Sequence, residues 1–334
     1  MDDRALLEHL IRGPATGDAL ARAAGQTRAA VWKRIEALRQ AGIEIAAQPG
    51  RGYALMQPLD LLDAAAIRAA LSPPVRKQVS AIEVAWTIDS TNSELLRRRA
   101  PESGGAEILL AERQTGGRGR RGRVWASPLA AHLYLSVARS FGSGLARLGG
   151  LSLVAGVAVV EALQGLGFSE ARLKWPNDVV VSNHAGLRKL GGLLIEGSGE
   201  HAGPARAVIG LGLNVRMPAA TATDIDQPWC DLAGLASDAS RPLPDRNTIV
   251  AALLQQLLPA LEVFDAEGLA PFLPRYAALD ALAGQAVTLH AGELRQAGTA
   301  LGVGEDGALR LLLDDGREQR VHAGEVSVRK AAAA

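Results

Sequence analysis

Positive charge on a pliable backbone is the first chemistry visible in this chain. Residues Gly116-Gly117-Arg118-Gly119-Arg120-Arg121-Gly122-Arg123 interleave arginine with glycine. Glycine lets backbone N–H groups approach a ligand closely, and guanidinium offers paired donors suited to phosphate or carboxylate. The stretch Gly117 to Gly122 formally matches G-x-G-x-x-G, but a dinucleotide fingerprint must open a helix. Val124-Trp125-Ala126-Ser127-Pro128 follows instead. The reading is therefore a mobile anion-binding loop, with a solvated basic loop as its bland alternative.

Four other clusters carry polar groups at telling positions. In Lys174-Trp175-Pro176-Asn177-Asp178 the proline restricts its neighbour and lacks a donor, which sets Asn177 and Asp178 at a strand entrance. An ordinary turn has the same pattern. Arg188-Lys189-Leu190-Gly191-Gly192 at a strand start would set an ammonium against an anion, or be a turn with a solvated lysine. Asp89-Ser90-Thr91-Asn92 is equally a helix N-cap. The glycines of Gly210-Leu211-Gly212-Leu213-Asn214 imply close approach to the backbone within a strand. No P-loop sequence is present.

The elements that must position these groups fall into three sections. In the first, Leu6, Leu7, Leu10 and Ile11 recur at helical spacing. A second helix is expected over Asp18 to Ala24, stopped by Gly25, and a third over Arg28 to Ala41, capped by Thr27 and ended at Gly42. Val31, Ile35 and Leu38 form its apolar stripe, and Trp32, beside that stripe, is read as packing. Helix, turn and helix, followed by a hairpin around Gln48-Pro49-Gly50-Arg51-Gly52, make a winged helix-turn-helix pattern.

In the second section strands are expected at 82–88, 107–112, 133–138, 179–182, 193–196 and 208–215, with helices at 93–99, 145–166 and 248–266. The alternation in His132 to Val137 implies one buried face. From Gly284 short strand-like runs (287–289, 298–303, 309–313 and 326–328) punctuated by glycine suggest a small β-barrel.

Composition narrows the class. A chain of 334 residues calls for two or three domains. With 48% apolar and 21% charged residues it is globular, and disorder or coiled coil fit poorly. The formal net charge of +1 leaves any DNA contact to a local patch. The single cysteine, Cys230, excludes an intrachain disulfide and suits a reducing compartment. Met1-Asp2-Asp3-Arg4 lacks a signal-peptide flank, and the apolar run Leu151 to Val160 is too short to span a bilayer. A cytoplasmic protein with no membrane association is expected. The scattered histidines argue against a protein-held metal site.

Taken in this order, the five motifs resemble the bacterial biotin protein ligases, and most closely the bifunctional form that doubles as the biotin operon repressor. The resemblance covers nearly the whole chain. It implies an α+β protein with a winged helix-turn-helix DNA-binding domain over residues 1–64. A central mixed-sheet catalytic domain, class II synthetase-like, would follow over 65–282, then a C-terminal SH3-like β-barrel over 283–330.

It also implies roles. Ser90, Thr91, Asn92 and Gln114 match positions that hydrogen-bond biotin's ureido head. Gly117, Arg118, Gly119 and Arg120 match the segment that orders over the biotin carboxylate and the adenylate phosphate. Lys189, beside Gly192, matches the lysine that contacts the reacting groups. Trp125 matches an aromatic that packs on adenine, while Asn177, Asn214 and Arg329 match polar groups near the nucleotide. Gly191 and Thr115-Gly116 depart from the family pattern without removing a charge.

The implied reaction joins biotin and ATP through biotinyl-AMP, then biotin and a lysine of the biotin carboxyl carrier protein of acetyl-CoA carboxylase. Two anions must meet in the first step, which is what Arg118, Arg120 and Lys189 suit. One Mg²⁺ would ride mostly on phosphate and water. Asp178 is the expected base for the carrier amine. For operator DNA, Arg28 lies where a recognition helix reads bases, and Lys33, Arg34 and Arg51 suit phosphates. A ligand-promoted homodimer is implied. Two alternatives stay open: a ligase whose winged helix no longer binds DNA, and a biotin-sensing transcription factor without ligase activity.

Overall fold

Local punctuation sets the first three helices. The computed structural model describes residues 2–142, 144–184, 186–199, 204–223, 225–291, 294–322 and 327–330, the last as backbone. Helices α1 (Asp3–Arg12), α2 (Gly17–Ala24) and α3 (Arg28–Gln40) open on Asp2, Thr16 and Thr27, whose side chains each accept a backbone N–H of the first turn. Gly25 ends α2 in the left-handed conformation at φ 60. Strands β1 (Ile45–Gln48) and β2 (Gly52–Leu55) form the wing. Gly52 has φ 86, and a side chain there would meet Thr16 Cα at 2.5 Å, so only glycine lets the wing cross α2's entrance.

Val31, Ile35 and Leu38 are buried as their spacing implies, but Trp32 is not. It is 53% exposed, because it falls between the stripe and the solvent face. Arg34, by contrast, is drawn off the solvent face: its Nη1 donates to Asp3 Oδ1 at 2.6 Å and ties α3 to α1.

Short helices α4 (Ala64–Ala70) and α5 (Pro73–Gln78) lead into a seven-stranded mixed sheet, which sequence periodicity missed in part. Its strands are β3 (Val79–Ala85), β4 (Ala106–Ala111), β5 (Leu133–Phe141), β6 (Ala171–Lys174), β7 (Asp178–Asn183), β8 (Gly186–Gly199) and β9 (Ala205–Leu213), in the order β3-β4-β5-β9-β8-β7-β6. Helix α6 (Thr91–Arg97) covers one face of the sheet. Helix α7 (Leu151–Gly165) covers the other, together with α10 (Arg246–Glu267), α9 (Leu232–Asp238) and α11 (Leu273–Leu279), while the short α8 (Ala219–Ala222) buries no residue.

Strand β5 is therefore buried on both faces, against the expectation of one. Leu133, Leu135 and Val137 enter the main core, while Ala138 packs under α6 with Leu95, Leu109 and Val208. Helix α10 has the length and apolar composition to cross a membrane. Its Ile249, Leu253, Leu257, Leu261 and Phe264 are buried in the core instead.

Strands β10 (Ala286–Ala291), β11 (Leu294–Val303), β12 (Leu309–Leu313), β13 (Glu318–Val321) and β14 (Ser327–Lys330) form an antiparallel sheet ordered β13-β12-β11-β10-β14. This module shares a core with the mixed sheet, since Val287, Leu289, Leu309 and Leu311 join the same cluster as α7. Trp175 Nε1 donates to Gly307 O at 3.0 Å and pins the two together.

The winged helix is joined to the central section by more than a linker. Leu129 and Ala130 are buried in the winged-helix core, although they lie beyond β4 in sequence. Leu129 N donates to Ala41 O, at the end of α3, at 3.1 Å, and Ala130 N donates to Glu112 O at 2.9 Å. Beneath this joint the Arg246 guanidinium, fully buried, lies 2.9 Å from Glu112 Oε2 and donates to Asp60 Oδ1 at 2.7 Å. Glu112 Oε1 also accepts from Leu62 N at 2.6 Å.

Candidate functional site

One end of the site is a ladder of short polar side chains under α6. Ser90 caps that helix, accepting from Ser93 N at 3.3 Å, so the N-cap reading of the motif holds. The cap also points the next two residues inward, and Ser90, Thr91 and Asn92 are each 4% exposed. Thr91 N and Oγ1 donate to Gln114 Oε1 at 2.9 and 3.1 Å. Ser136 Oγ, on β5, stands 2.7 Å from Thr91 Oγ1 and 2.6 Å from Asn92 Oδ1, offering one proton to the two. Asn92 Nδ2 donates to Leu194 O and Glu196 Oε2 at 3.1 and 3.0 Å. Ser136 and Glu196 were not anticipated. A serine inside the strand-like run Leu133 to Ala138 was the one available signal for Ser136. Glu196 gave none.

Strand β9 forms the floor between the two ends. Its glycines are holes for two different side chains. A Cβ on Gly210 would lie 2.8 Å from Asn92 Cγ, and one on Gly212 would lie 2.6 Å from Trp125 Cζ2. Asn92 and Trp125 thus rest on bare backbone, the close approach that the glycine spacing implied.

The arginine loop folds back on itself above this floor. Arg118 and Val124 form an isolated bridge, Gly119 N donates to Arg123 O at 2.7 Å, and residues 120–122 make a single 3-10 turn with no following helix. Arg121 and Gly122 take positive φ values of 57 and 73. Arg118 donates to Ser93 Oγ at 3.1 Å and to both Glu196 oxygens at 3.1 and 3.0 Å, closing over the polar ladder. Arg120 donates to Asn177 Oδ1 at 3.1 Å. Burial, helped by neighbouring Arg121, lowers the Arg120 pKa from the usual guanidinium value, and Asp178 partly offsets this. Burial therefore makes its charge readier to be met by an anion.

Lys189 reaches the site because of a bulge. Asp178 pairs with Gly192 and Val179 with Gly191, but Val180 pairs with Lys189, leaving Leu190 as an extra residue on β8. That extra residue reverses the alternation and turns Lys189 onto the face of Asp178, while Leu190 enters the core. Lys189 Nζ lies 2.7 Å from Asp178 Oδ1 and 5.5 Å from the Trp125 ring centroid. The lysine sits within a fourteen-residue strand, not at the strand start its glycines suggested. Gly191 is there because a Cβ would meet Gly212 O at 2.8 Å.

Ladder, loop and lysine enclose one cavity of about 980 Å³. That is at the upper end of the roughly 300–1,000 Å³ range of small-molecule sites, enough for two substrates side by side. Of the ligand-site residues expected from sequence, all but Gly117, Asn214 and Arg329 line it. Gly117 lies behind the loop, where a Cβ would meet Ser127 Oγ and Trp125 O at 2.7 Å. Asn214 is used on the backbone: its Nδ2 donates to Cys230 O at 3.0 Å, fastening the end of β9. Arg329 pairs through its backbone with Thr288, and its side chain lies outside the described residues. Trp125 Nε1 is buried without a hydrogen-bond partner. Of the expected DNA contacts, Arg28, Lys33 and Arg51 are exposed. Arg34 is engaged with Asp3.

Three domain families match this chain: a helix-turn-helix family over residues 4–54, the biotin/lipoate A/B protein ligase family over 84–214, and the biotin protein ligase C-terminal domain over 283–329. The bifunctional ligase/repressor BirA of Escherichia coli is 39% identical over 95% of this chain and 93% of its own length. That of Bacillus subtilis is 31% identical over 72% and 71%. Among solved structures, the biotin protein ligase of Aquifex aeolicus in complex with biotin and ATP superposes with a TM-score of 0.62 at 27% identity. It covers 75% of this chain and all of its own. With a winged helix at one end, this cavity at the centre and the small antiparallel sheet at the other, the chain belongs to the family of bifunctional biotin protein ligase/repressors.

Proposed function

We propose that this chain condenses biotin with ATP to biotinyl-5′-AMP, transfers biotin to a lysine of a biotin carboxyl carrier protein, and represses transcription by binding operator DNA as a ligand-promoted dimer. The observation that carries the ligase reading is one cavity lined both by the neutral polar side chains Thr91, Asn92, Gln114 and Ser136 and by the cations Arg118, Arg120 and Lys189. A ureido head needs both donors and acceptors without charge, which the Thr91–Asn92–Gln114–Ser136 group supplies. The reacting carboxylate and α-phosphate need the cations.

In the first step a carboxylate oxygen bonds to the α-phosphorus and the bond to pyrophosphate breaks. Arg118 leaves Glu196, Lys189 leaves Asp178, and both follow the developing charge. Arg120, held by Asn177, is aimed from the nucleotide side. In the second step the carrier amine attacks the acyl carbon, AMP departs, and the amine proton passes to Asp178. Once Lys189 is on phosphate, that carboxylate is available. Trp125, with its unpaired donor, packs on the adenine. Asn214, placed away from the cavity, acts by holding β9. Arg329 and Gly117 complete the nucleotide side and the loop.

Mg²⁺ suits such a site only as part of the nucleotide. Among the described residues no group of three metal-binding side chains exists, and Asp178 is the one carboxylate beside Lys189. The ion would neutralise phosphate charge while held by phosphates and water. We place the protein in the bacterial cytoplasm and divide its sequence at residues 64 and 282, as its family matches favour. The class II synthetase-like and SH3-like assignments belong to the same proposal.

The test is transfer of labelled biotin to an apo biotin carrier domain with ATP and Mg²⁺, for the wild type and Arg118→Ala. The expected result is robust wild-type labelling that falls, or leaks free adenylate, in the variant. Tight biotin binding without any wild-type labelling would leave a biotin-sensing regulator as the better account.

A further inference from the structure

The outward face of α3 carries an indole that the winged helix does not use for packing. Val31, Ile35 and Leu38 turn inward and are at most 1% exposed, whereas Trp32 is 53% exposed. Arg28, Ala29 and Trp32 lie at i, i+1 and i+4, and so share one side of the helix, with Lys33 adjoining. All four are exposed. The other cations of α3 face away: Arg34 is held by Asp3 and Gln26, and Arg39 by Glu36 and Ile45 O.

Single exposed apolar residues are common and need no explanation in general. This one sits on the second helix of a helix-turn-helix, between Arg28 and Lys33, with Arg51 exposed on the wing turn. Its charged neighbours on α3 are cations that suit a polyanion, although Arg28 also makes an exposed ion pair with Asp18 at 3.3 Å, which a phosphate would have to displace.

We infer that Trp32 is a base-reading residue, seating its indole against the C5-methyl group of a thymine in the major groove. The inference rests on the DNA-binding reading above and adds the residue that carries sequence preference. Cations on phosphate fix register but carry no sequence information. Among the bases only thymine presents a methyl group in the major groove, and apolar side chains read it. Residue 32 lies one turn into α3, in the half of a recognition helix that reaches base edges. The indole projects farther than Ala29 on the same face, and its N–H is a donor for a thymine O4 or purine N7 acceptor.

The experiment uses the full chain with biotin, ATP and Mg²⁺. Wild type and Trp32→Ala each select from a randomised duplex library. Each thymine of the wild-type site is then replaced in turn by uracil, which removes only the methyl group. The wild type should lose about five- to tenfold in affinity at one thymine per half-site. Trp32→Ala should bind that site about ten- to a hundredfold more weakly and be indifferent to the same uracil. Its affinity for non-specific duplex should stay within about twofold of wild type, because phosphate contacts are intact. Trp32→Phe should restore part of the uracil sensitivity, a rescue that a fold defect would not give. Selection of the same site with the same uracil response by Trp32→Ala overturns the inference alone. Failure of the wild type to select any sequence overturns the DNA-binding reading and this inference with it.

Discussion

Gly210 and Gly212 allow the two ends of the site to be damaged one at a time. Both lie on the cavity face of β9, two residues apart. In Gly212→Ala the new methyl would stand 2.6 Å from Trp125 Cζ2 and 2.7 Å from Nε1. Trp125 Cε2 is nearer still, so restoring ordinary contact at 3.4 Å needs the ring to move by about 1 Å, and β9 is held on both sides by β5 and β8. The indole therefore gives way. Stacking on a base is worth about 1–3 kcal/mol, so KM for ATP should rise about 5- to 150-fold.

In Gly210→Ala the methyl would stand 2.8 Å from Asn92 Cγ. Asn92 cannot retreat without losing hydrogen bonds to Ser136, Leu194 and Glu196. Two or three bonds at about 1 kcal/mol each predict biotin binding about 30- to 150-fold weaker. Calorimetric titration of biotin without nucleotide, alongside biotin-dependent pyrophosphate exchange at varied ATP, reads the two effects separately. Gly212→Ala should leave nucleotide-free biotin binding within about threefold, since the ladder is untouched. If it also leaves KM for ATP within about twofold, or if both variants weaken both ligands alike, the division of the cavity argued here is wrong.

Three other perturbations test other parts of the structure. Lys189→Met keeps the side chain's length but not its charge. Single-turnover adenylate formation should slow about 10²- to 10³-fold with biotin affinity nearly unchanged, and a loss below about threefold would remove the lysine from the transition state. His132 is fully buried, and burial lowers its pKa to about 3 from 6.5. The unfolded chain then binds the extra proton below pH 6.5, so the wild type should lose about 1.4 kcal/mol between pH 7.5 and pH 5.5 in urea unfolding. His132→Gln should lack that component, and an identical pH slope in the two proteins would refute the assignment. Arg246→Met strands buried Glu112 without its cation. A cost of about 3–5 kcal/mol is expected, read as a lower thermal midpoint, and a loss under about 1 kcal/mol would show that the network is not structural.

Features written in adjacent residues were legible before the structure. Thr27 and Gly25 act within one turn of their own helices, so cap and stop were visible at once. The arginine loop and Lys189 declared themselves by residue type. What escaped depends on partners far away in sequence. Glu196 gains meaning only when β8 meets α6 and the loop, and Glu112 only when Arg246 arrives from α10. Strand β8 was read as short because Gly191 and Gly192 mimic a turn. They are tolerated in mid-strand because β9 and the Lys189–Asp178 pair press on them. Trp32 was misjudged because a helix position beside the apolar stripe can fall on either side of the surface.

The placement of Leu129 and Ala130 bears on how such a protein can be taken apart. A line drawn at residue 64 is a boundary of sequence, not of packing. Excising the winged helix would strip cover from Leu129 and Ala130, and from the part-buried Trp86 beside them. The remaining enzyme would carry a greasy scar only a few residues past Trp125, and Leu129 would lose its anchor on Ala41. A gene that sheds this module must therefore also rewrite residues 128–130, or accept an enzyme that sticks to its neighbours and holds its adenine platform more loosely. Modularity here has a toll, collected at three residues inside the catalytic half.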